Sequence, residues 1–161
     1  MQKTIKRVGV FVNEATSRIM ELAIRHQLDF VQLHGNESAE QCAEIKASGL
    51  GVVKVFQMDG HFDFPKLVPY KKNTDYFLFD TKSESYGGTG KTFDWNILNR
   101  YDQDIPFFLS GGLSVENIND AKAINGMNLH ALDINSGVEI SPGLKDIDKI
   151  KLLKNILTSN S

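Results

Sequence analysis

Short apolar runs alternate along this chain with amphipathic stretches of helical length. This alternation is typical of βα units, in which strands enter a parallel sheet and helices cover it. We predict six strands, whose starts lie 22 to 31 residues apart, because each interval holds a strand, a helix and two turns. The predicted strands cover residues 7–12, 30–34, 52–57, 76–80, 107–110 and 130–134.

Local start signals support helices between these strands. The periodicity predicts a first helix over residues 16–26. Ser38 followed by Gln41 has the spacing of a capping box, and the helix that it starts should bury Cys42. Another helix is expected to begin near Ser114, after a pair of glycines.

The last predicted helix begins near Asp146, since acidic residues suit the positive end of a helix. Its apolar positions recur at helical spacing, so we expect them to form one stripe on a helix that caps the domain. The stripe consists of Ile147, Ile150, Leu153 and Leu157.

The chain has 161 residues, of which 41% are hydrophobic and 24% are charged. These proportions fit a globular domain and exclude collagen-like and disordered chains. No repeat beyond the βα period and no Pro- or Ser-rich linker interrupts the pattern, so we predict a single domain over residues 1–161. Cys42 is the one cysteine, so no internal disulfide can form.

The 18 basic and 20 acidic side chains give a formal charge of −2. No general basic field is present to attract nucleic acid, and the nearest patch is Lys3, Lys6 and Arg7. No apolar stretch approaches the roughly 20 residues needed to span a bilayer, and no signal-peptide hydrophobic region precedes Val8. We therefore expect a cytoplasmic protein without nucleic-acid or membrane partners.

Two architectures fit this alternation of strands and helices. The length favours an open doubly wound sheet, because a closed (βα)8 barrel needs at least about 200 residues. However, the first strand leads into Asn13-Glu14-Ala15, without the glycine-rich turn of a dinucleotide site. Polar segments instead follow several strands, as at Gln32-Leu33-His34-Gly35 and Asp80-Thr81-Lys82. In a barrel such strand ends converge on one pocket.

A glycine-rich segment, Gly87-Gly88-Thr89-Gly90-Lys91-Thr92, follows the fourth predicted strand. Its end copies a P-loop, but a P-loop needs a glycine five positions before Gly90, where this chain has Ser85. A helix should also start at Lys91-Thr92, whereas Asp94 is the better cap. We interpret the segment as a lid over the pocket, with a mobile surface loop as the alternative, rather than as a site of nucleotide hydrolysis.

Two loops at neighbouring strand ends suggest a phosphate site. Gly111 and Gly112 follow the fifth strand, and Ser136 and Gly137 follow the sixth. Backbone N–H groups at such glycines can point at one phosphate, and a short helix after the second loop would add its positive end. In barrels this pair of loops is the usual phosphate site. The alternative is that both are tight strand-to-helix turns.

Asp80 and Asp133 each end an apolar strand. A partly buried carboxyl group suits Asp80 to general-acid chemistry, and the alternative for both residues is a cap or turn. His34 can orient a substrate or be purely structural, and no second histidine has metal-ligand spacing with it, so no metal is expected. Cys42 is predicted to be a core residue rather than a nucleophile.

Six segments together resemble one family, phosphoribosylanthranilate isomerase, the (βα)8 TIM-barrel enzyme of tryptophan biosynthesis. The similarity runs from about Lys6 to Leu157, and the glycine-rich loop followed by Phe-Asp-Trp is specific to that family. The segments are Gly9-Val10-Phe11-Val12-Asn13, Gln32-Leu33-His34-Gly35, Phe79-Asp80-Thr81, residues 87–95, Leu109-Ser110-Gly111-Gly112-Leu113, and residues 133–139 with Ser141-Pro142-Gly143.

The resemblance implies an α/β fold with about six of the eight βα units and an aldose–ketose isomerase that acts on a phosphosugar by an Amadori rearrangement. That reaction needs an acid and a base, without metal or organic cofactor. Asp80 matches the general acid of the family, while Lys91 lies in the matching lid without an assigned role. The pocket positions are matched by Gln32, His34 and Asp133, and the phosphate loops by Gly111, Gly112, Ser136 and Gly137.

The family also has two earlier βα units, which carry a general-base cysteine in Lys-Ile-Cys-Gly and an arginine near the substrate. Neither unit is matched here, and Cys42 corresponds to a helix position. Two functions stay open: the isomerase, or an inactive phosphate-binding remnant or assembly subunit. Another phosphosugar barrel enzyme is disfavoured by residues 87–95. Two unpaired sheet edges would predict exposed apolar surface and self-association.

Overall fold

The computed structural model describes residues 5–81, 92–121, 124 and 126–158. Six strands form one sheet, and each lies within two residues of its predicted ends. They are Val8–Phe11 (β1), Phe30–Leu33 (β2), Gly51–Met58 (β3), Tyr76–Thr81 (β4), Phe107–Leu109 (β5) and Leu129–Leu132 (β6). A separate antiparallel pair, Glu139–Ser141 (β7) and Leu144–Lys145 (β8), was not predicted. Residues 87–91 of the proposed lid, including Lys91, lie outside the described residues, as does Lys3 of the basic patch.

Helical segments connect the strands. The α-helices are Thr16–His26 (α1), Ala39–Ala47 (α2), Ile118–Ala121 (α3) and Ile147–Thr158 (α4), and the 3-10 segments include Phe64–Tyr70, Trp95–Arg100 and Ser136–Val138. Pro69 disfavours an α-helix in the first 3-10 segment, because it lies inside the segment and lacks the N–H group that an α-helix interior needs. Asp94 caps the second, as predicted, by accepting a hydrogen bond from Asn96 N at 3.0 Å.

The strands follow one another in the sheet in chain order, from β1 to β6. β2 pairs in parallel with both β1 and β3, with Phe30 opposite Val8 on one side and Gly51 on the other. A doubly wound sheet reverses its strand order at a switch point, whereas a βα barrel adds each strand beside the last. The order therefore favours the barrel family over the doubly wound alternative that length alone suggested.

The chain divides into two compact units. The first contains the described residues of Met1–Phe56, Asp63–Leu78 and Asp104–Phe107, and the second those of Gln57–Phe62, Phe79–Gln103 and Phe108–Ser161.

The core of the first unit lies between the strands β1 to β3 and the two helices that follow β1 and β2. α1 has its predicted bounds, and Ser38 Oγ caps α2 by accepting a hydrogen bond from Gln41 N at 3.3 Å. Cys42 is fully buried there, as predicted. The buried cluster consists of Ile19, Val31, Leu33, Cys42, Ile45 and Val52.

The second unit has a smaller cluster around Ile118, Val138 and Leu153. Within the predicted stripe of α4 only Leu153 is buried, while the three other side chains are 39% to 60% exposed. The stripe therefore contributes one fully covered side chain to this cluster, because the packing covers a single turn of the helix, and helical periodicity does not report how wide the covering surface is.

The helix expected near Ser114 begins four residues later, at Ile118. The backbone before it forms a turn in which Asn117 Oδ1 accepts a hydrogen bond from Ser114 N at 2.9 Å. Ser114 nevertheless has the contacts of a helix N-cap, since its Oγ accepts a hydrogen bond from Glu116 N at 3.3 Å and its carbonyl accepts one from Ile118 N at 3.1 Å.

One face of β1 is apolar and exposed. Val8 is 46% exposed, Val10 59% and Val12 55%, and β1 is an end strand of the sheet order. Exposed apolar side chains on an end strand are the surface expected at an unpaired sheet edge.

Candidate functional site

In the second unit, β4 and β5 end side by side and bring Asp80 against a glycine. Ser110 N donates to Phe79 O at 2.8 Å, which continues the strand pairing to the last residue before the glycines. Gly111 has φ +86°, and a Cβ built there would lie 2.6 Å from Asp80 Oδ1 and in collision with Thr81 N. The half-buried Asp80 carboxyl group is therefore packed against backbone that only glycine can supply.

Thr81 stabilises the contact between the end of β4 and Gly111 by hydrogen bonding. Its Oγ1 donates to Gly111 O at 3.2 Å and accepts a hydrogen bond from Phe93 N at 3.3 Å. One hydroxyl group therefore joins the end of β4, the first glycine loop and the start of residues 93–100. Sequence reasoning did not single out Thr81, although a threonine directly after the candidate acid was a visible signal.

Asp133, at the end of the next strand, lies beside the residues that end β5. Its N–H donates to Leu109 O at 2.9 Å, and Ser110 Oγ donates to Asp133 Oδ2 at 3.2 Å. Asp133 is exposed at the end of β6. The predicted acid, the first glycine loop and the second aspartate thus come together at three consecutive strand ends.

The two glycine loops are packed against each other. A Cβ built on Gly137 would collide with Leu113 O and lie 3.0 Å from Ser114 Cα. Gly112, with φ +70°, precedes this contact. The expected short helix after the second loop is a 3-10 turn of three residues, Ser136–Val138.

The backbone N–H groups of both loops are available to a ligand. Within the described part of the chain, no hydrogen bond engages the N–H groups of Gly111, Gly112, Ser136 or Gly137. Successive N–H groups at glycine turns are the usual donors to a phosphate.

Asn117 holds the first loop in shape. Its Nδ2 donates to Gly112 O at 2.8 Å while its Oδ1 accepts from Ser114 N, so a single side chain closes the turn on both sides of Leu113. Sequence reasoning missed this residue. The available signal was a short amide side chain placed soon after a glycine pair, a pattern typical of side-chain-closed turns.

The other predicted pocket residues, Gln32 and His34, lie in the first unit at the end of β2. Gln32 Nε2 lies 3.2 Å from His34 Nδ1, and both side chains are half-buried. His34 N donates to Phe11 O at 2.8 Å, which fixes its backbone beside the end of β1.

Cys42 is unsuited to nucleophilic or base chemistry. Burial raises the pKa of its thiol to about 11, so the reactive thiolate is scarce near neutral pH. Among the described residues no group of three or more His, Cys, Asp or Glu side chains could hold a metal ion. None of the described helices is long and apolar enough to cross a membrane.

Comparison with known proteins identifies a family. The family model described as N-(5'-phosphoribosyl)anthranilate isomerase matches residues 1–155. The isomerase of Parabacteroides distasonis is 47% identical over 150 residues, covering 93% of this chain and 68% of that protein. The isomerase of Caldanaerobacter subterraneus is 43% identical over 152 residues, covering 94% of this chain and 71% of its own length.

Solved structures give the same result. The phosphoribosylanthranilate isomerase of Thermotoga maritima superposes with a TM-score of 0.83 at 39% identity, covering 96% of this chain and 74% of that one. The enzyme of Thermus thermophilus gives 0.84 at 28% identity, covering 100% and 76%. These neighbours confirm the predicted (βα) barrel-family fold. The chain therefore belongs to the N-(5'-phosphoribosyl)anthranilate isomerase family.

Proposed function

We propose that the chain performs the reaction of its family, the Amadori rearrangement of N-(5'-phosphoribosyl)anthranilate in tryptophan biosynthesis, with Asp80 as the general acid. The supporting observation is the contact between Asp80 and Gly111. It sets a carboxyl group directly beside a loop whose N–H groups can bind phosphate, as a reaction on a phosphosugar requires.

The chemistry needs one proton donated and one removed. The acid protonates the furanose ring oxygen, and the bond between that oxygen and the anomeric carbon breaks, leaving an iminium at the anilinic nitrogen. A base then removes the proton from the adjacent carbon, and the electron pair passes to the nitrogen. Tautomerisation of the resulting enolamine gives the aminoketose, so the reaction is a net isomerisation without metal or organic cofactor.

The 5'-phosphate is assigned to the two glycine loops, with Gly111 and Gly112 on one side and Ser136 and Gly137 on the other. Two contacts support this assignment: Gly137 packs against Leu113, and Asn117 closes the first loop. One solved structure of the family, with a TM-score of 0.79 at 35% identity, holds reduced 1-(o-carboxyphenylamino)-1-deoxyribulose 5-phosphate. A phosphosugar of this kind is the partner that we propose for this chain.

The family resemblance also gives substrate contacts to Gln32 and His34, and to Asp133. We propose these contacts together with a cytoplasmic location, where a small phosphosugar substrate is available. We propose that Asp133 orients the substrate rather than transferring a proton, because its carboxylate already accepts a hydrogen bond from the Ser110 hydroxyl group.

The general base distinguishes two hypotheses for the chain. The cysteine that serves as base in the family lies in a βα unit that these 161 residues do not match, so the isomerase hypothesis needs that unit to be supplied, whereas in the alternative the chain is an inactive phosphate-binding remnant or assembly subunit. Turnover is measured for the 161-residue protein with and without the N-terminal βα units of the Parabacteroides distasonis enzyme added in trans. Turnover only in the mixture supports the isomerase hypothesis. Phosphosugar binding without turnover in either sample supports the inactive remnant or assembly subunit.

Asp80→Asn tests the acid. In the complete enzyme or the active mixture, turnover should fall by about 10²-fold or more while product affinity stays nearly unchanged, because an amide keeps the shape but cannot donate the proton. The matched control is Asp94→Asn, which alters an exposed helix cap outside the proposed site. Near-normal turnover of Asp80→Asn would contradict the assignment.

We also propose self-association through β1. Its exposed valines offer an apolar sheet face, beside an end strand, to a second copy. Val10→Lys should shift the sedimentation coefficient toward the monomer, while Ile24→Lys, on the exposed face of α1, should leave it unchanged. A monomeric wild-type protein at about 100 μM, a concentration that weak interfaces require, would contradict the proposal.

A further inference from the structure

A buried ion pair lies in the first unit, outside the residues assigned to the reaction. Lys54 Nζ is 3.1 Å from Glu37 Oε2, and the two side chains are 3% and 0% exposed. Removing two charges from water costs free energy that their attraction often fails to recover. Such a pair is therefore weak evidence for a stabilising role, and its other contacts indicate what it does.

The ammonium group of Lys54 donates hydrogen bonds to the backbone on both sides of His34. Nζ donates to Leu33 O at 3.2 Å and to Gly35 O at 2.8 Å, the carbonyl groups of the two residues beside this histidine. These charge-assisted hydrogen bonds restrain the peptide planes before His34 and after Gly35, and the plane between His34 and Gly35 is held by the hydrogen bond from Gly35 N to Glu37. The side chain of His34 consequently leaves the strand in one fixed direction.

The carboxylate of Glu37 binds backbone N–H groups of the same loops. Its carboxylate accepts from Gly35 N at 2.9 Å and from Asn13 N at 2.8 Å. Burial alone would raise the pKa of Glu37, but the N–H donors and the Lys54 charge outweigh it and leave the pKa below its ordinary value. The carboxylate is therefore ionised when it meets the lysine.

The same network reaches the end of β1. Asn13 has φ +52°, a conformation that few residues other than glycine adopt, and its Oδ1 accepts from Asn36 N at 2.6 Å. Glu37 thus ties the loop after β1 to the loop after β2.

We propose that Lys54 and Glu37 are a positioning pair, which sets the direction of the His34 side chain for contact with the phosphosugar. This inference rests on the proposed substrate contact of His34. Neither side chain of the pair is assigned a contact with substrate, since both are buried beneath the strand end.

Three variants separate positioning from stability. Glu37→Gln removes one charge at nearly constant shape, and Lys54→Met with Glu37→Gln removes both, which avoids leaving one buried charge unpaired. Lys46→Met is the matched control, because it breaks an ion pair with Asp75 at 3.1 Å that is partly exposed and lies away from these loops.

The first readout is the imidazole signal of His34 in two-dimensional NMR, assigned by its loss in His34→Gln. It should move in Glu37→Gln and in the double variant and stay in place in Lys46→Met. The second is affinity of the 161-residue chain for reduced 1-(o-carboxyphenylamino)-1-deoxyribulose 5-phosphate. Affinity should fall by about tenfold in both pair variants, since misplacing a contacting group by about 1 Å can cost up to 10²-fold, and should not change in the control.

The outcomes distinguish the two proposals. An unmoved His34 signal in both pair variants overturns the positioning role, whatever happens to affinity. A moved signal with affinity unchanged in the pair variants and in His34→Gln overturns the substrate contact of His34 but leaves the positioning role standing. If Glu37→Gln alone does not fold, the double variant decides, because it contains no unpaired buried charge.

Discussion

Gly111 offers a sharp test of the arrangement around Asp80, because two separate costs act on any side chain there. The backbone has φ +86°, and a Cβ would collide with Thr81 and lie 2.6 Å from the Asp80 carboxyl group. A left-handed backbone conformation costs an L residue about 1–2 kcal/mol. Forcing atoms into packed surroundings costs about 1–3 kcal/mol more, so Gly111→Ala should destabilise the second unit by about 2–5 kcal/mol in total.

Two other glycines of the same unit separate these costs. Gly143 has φ +82° but nothing within 4 Å of the built Cβ, so Gly143→Ala carries only the conformational strain. That strain is partly offset by about 0.4–1 kcal/mol, because alanine restricts the unfolded chain. Gly137 collides with Leu113 O without a positive φ, so Gly137→Ala carries only the packing cost. The expected order of destabilisation is Gly111→Ala, then Gly137→Ala, then Gly143→Ala.

Denaturant titration followed by tryptophan emission measures the effect. The chain has one tryptophan, Trp95, and it lies in the second unit with all three glycines. The free energy of unfolding of Gly111→Ala should lie about 1–3 kcal/mol below that of Gly143→Ala. A difference smaller than about 0.5 kcal/mol, the usual spread of neutral surface substitutions, would refute the contact between Gly111 and the end of β4.

Other side chains give further predictions. Asn117→Ala should weaken binding of inorganic phosphate by about three- to tenfold, because a lost hydrogen bond of about 1 kcal/mol frees the first loop. Asn117→Asp should have the same effect, because an aspartate side chain cannot donate to Gly112 O. Unchanged phosphate affinity in both variants would contradict the role of Asn117, and Asn128→Ala is a control at an exposed amide. The Cys42 thiol has a folded-state pKa of about 11, above its ordinary value of 9.0. As the pH rises, the unfolded chain therefore loses the thiol proton before the folded chain does. The stability conferred by the thiol should be complete below pH 9 and should decline from pH 9 toward pH 11. Urea titrations of the wild type and Cys42→Ala across that range check this, and a constant difference between the two proteins would show that burial does not raise the pKa.

The positions of the strands, and the residues that meet at the strand ends, could be predicted from sequence. Short apolar runs located all six strands of the sheet, and helical periodicity gave the bounds of α1, because local burial imposes these patterns. The glycine loops and Asp80 stood out because glycine and a terminal carboxylate mark strand ends. The capping roles of Ser38 and Asp94 were equally readable, because a cap bonds to backbone only two or three residues away.

The remaining features could not be predicted from sequence, because they depend on which residues distant in the chain come into contact. The exposed stripe of α4 looks like a buried one in sequence, and the width of the surface that covers a helix is not a local property. The charges of Glu37 and Lys54 read as ordinary surface residues in sequence, yet the fold buries both, 17 residues apart, against each other. Likewise, the reason for glycine at position 111 is a carboxyl group 31 residues earlier in the chain, which reaches it only when β4 and β5 lie side by side.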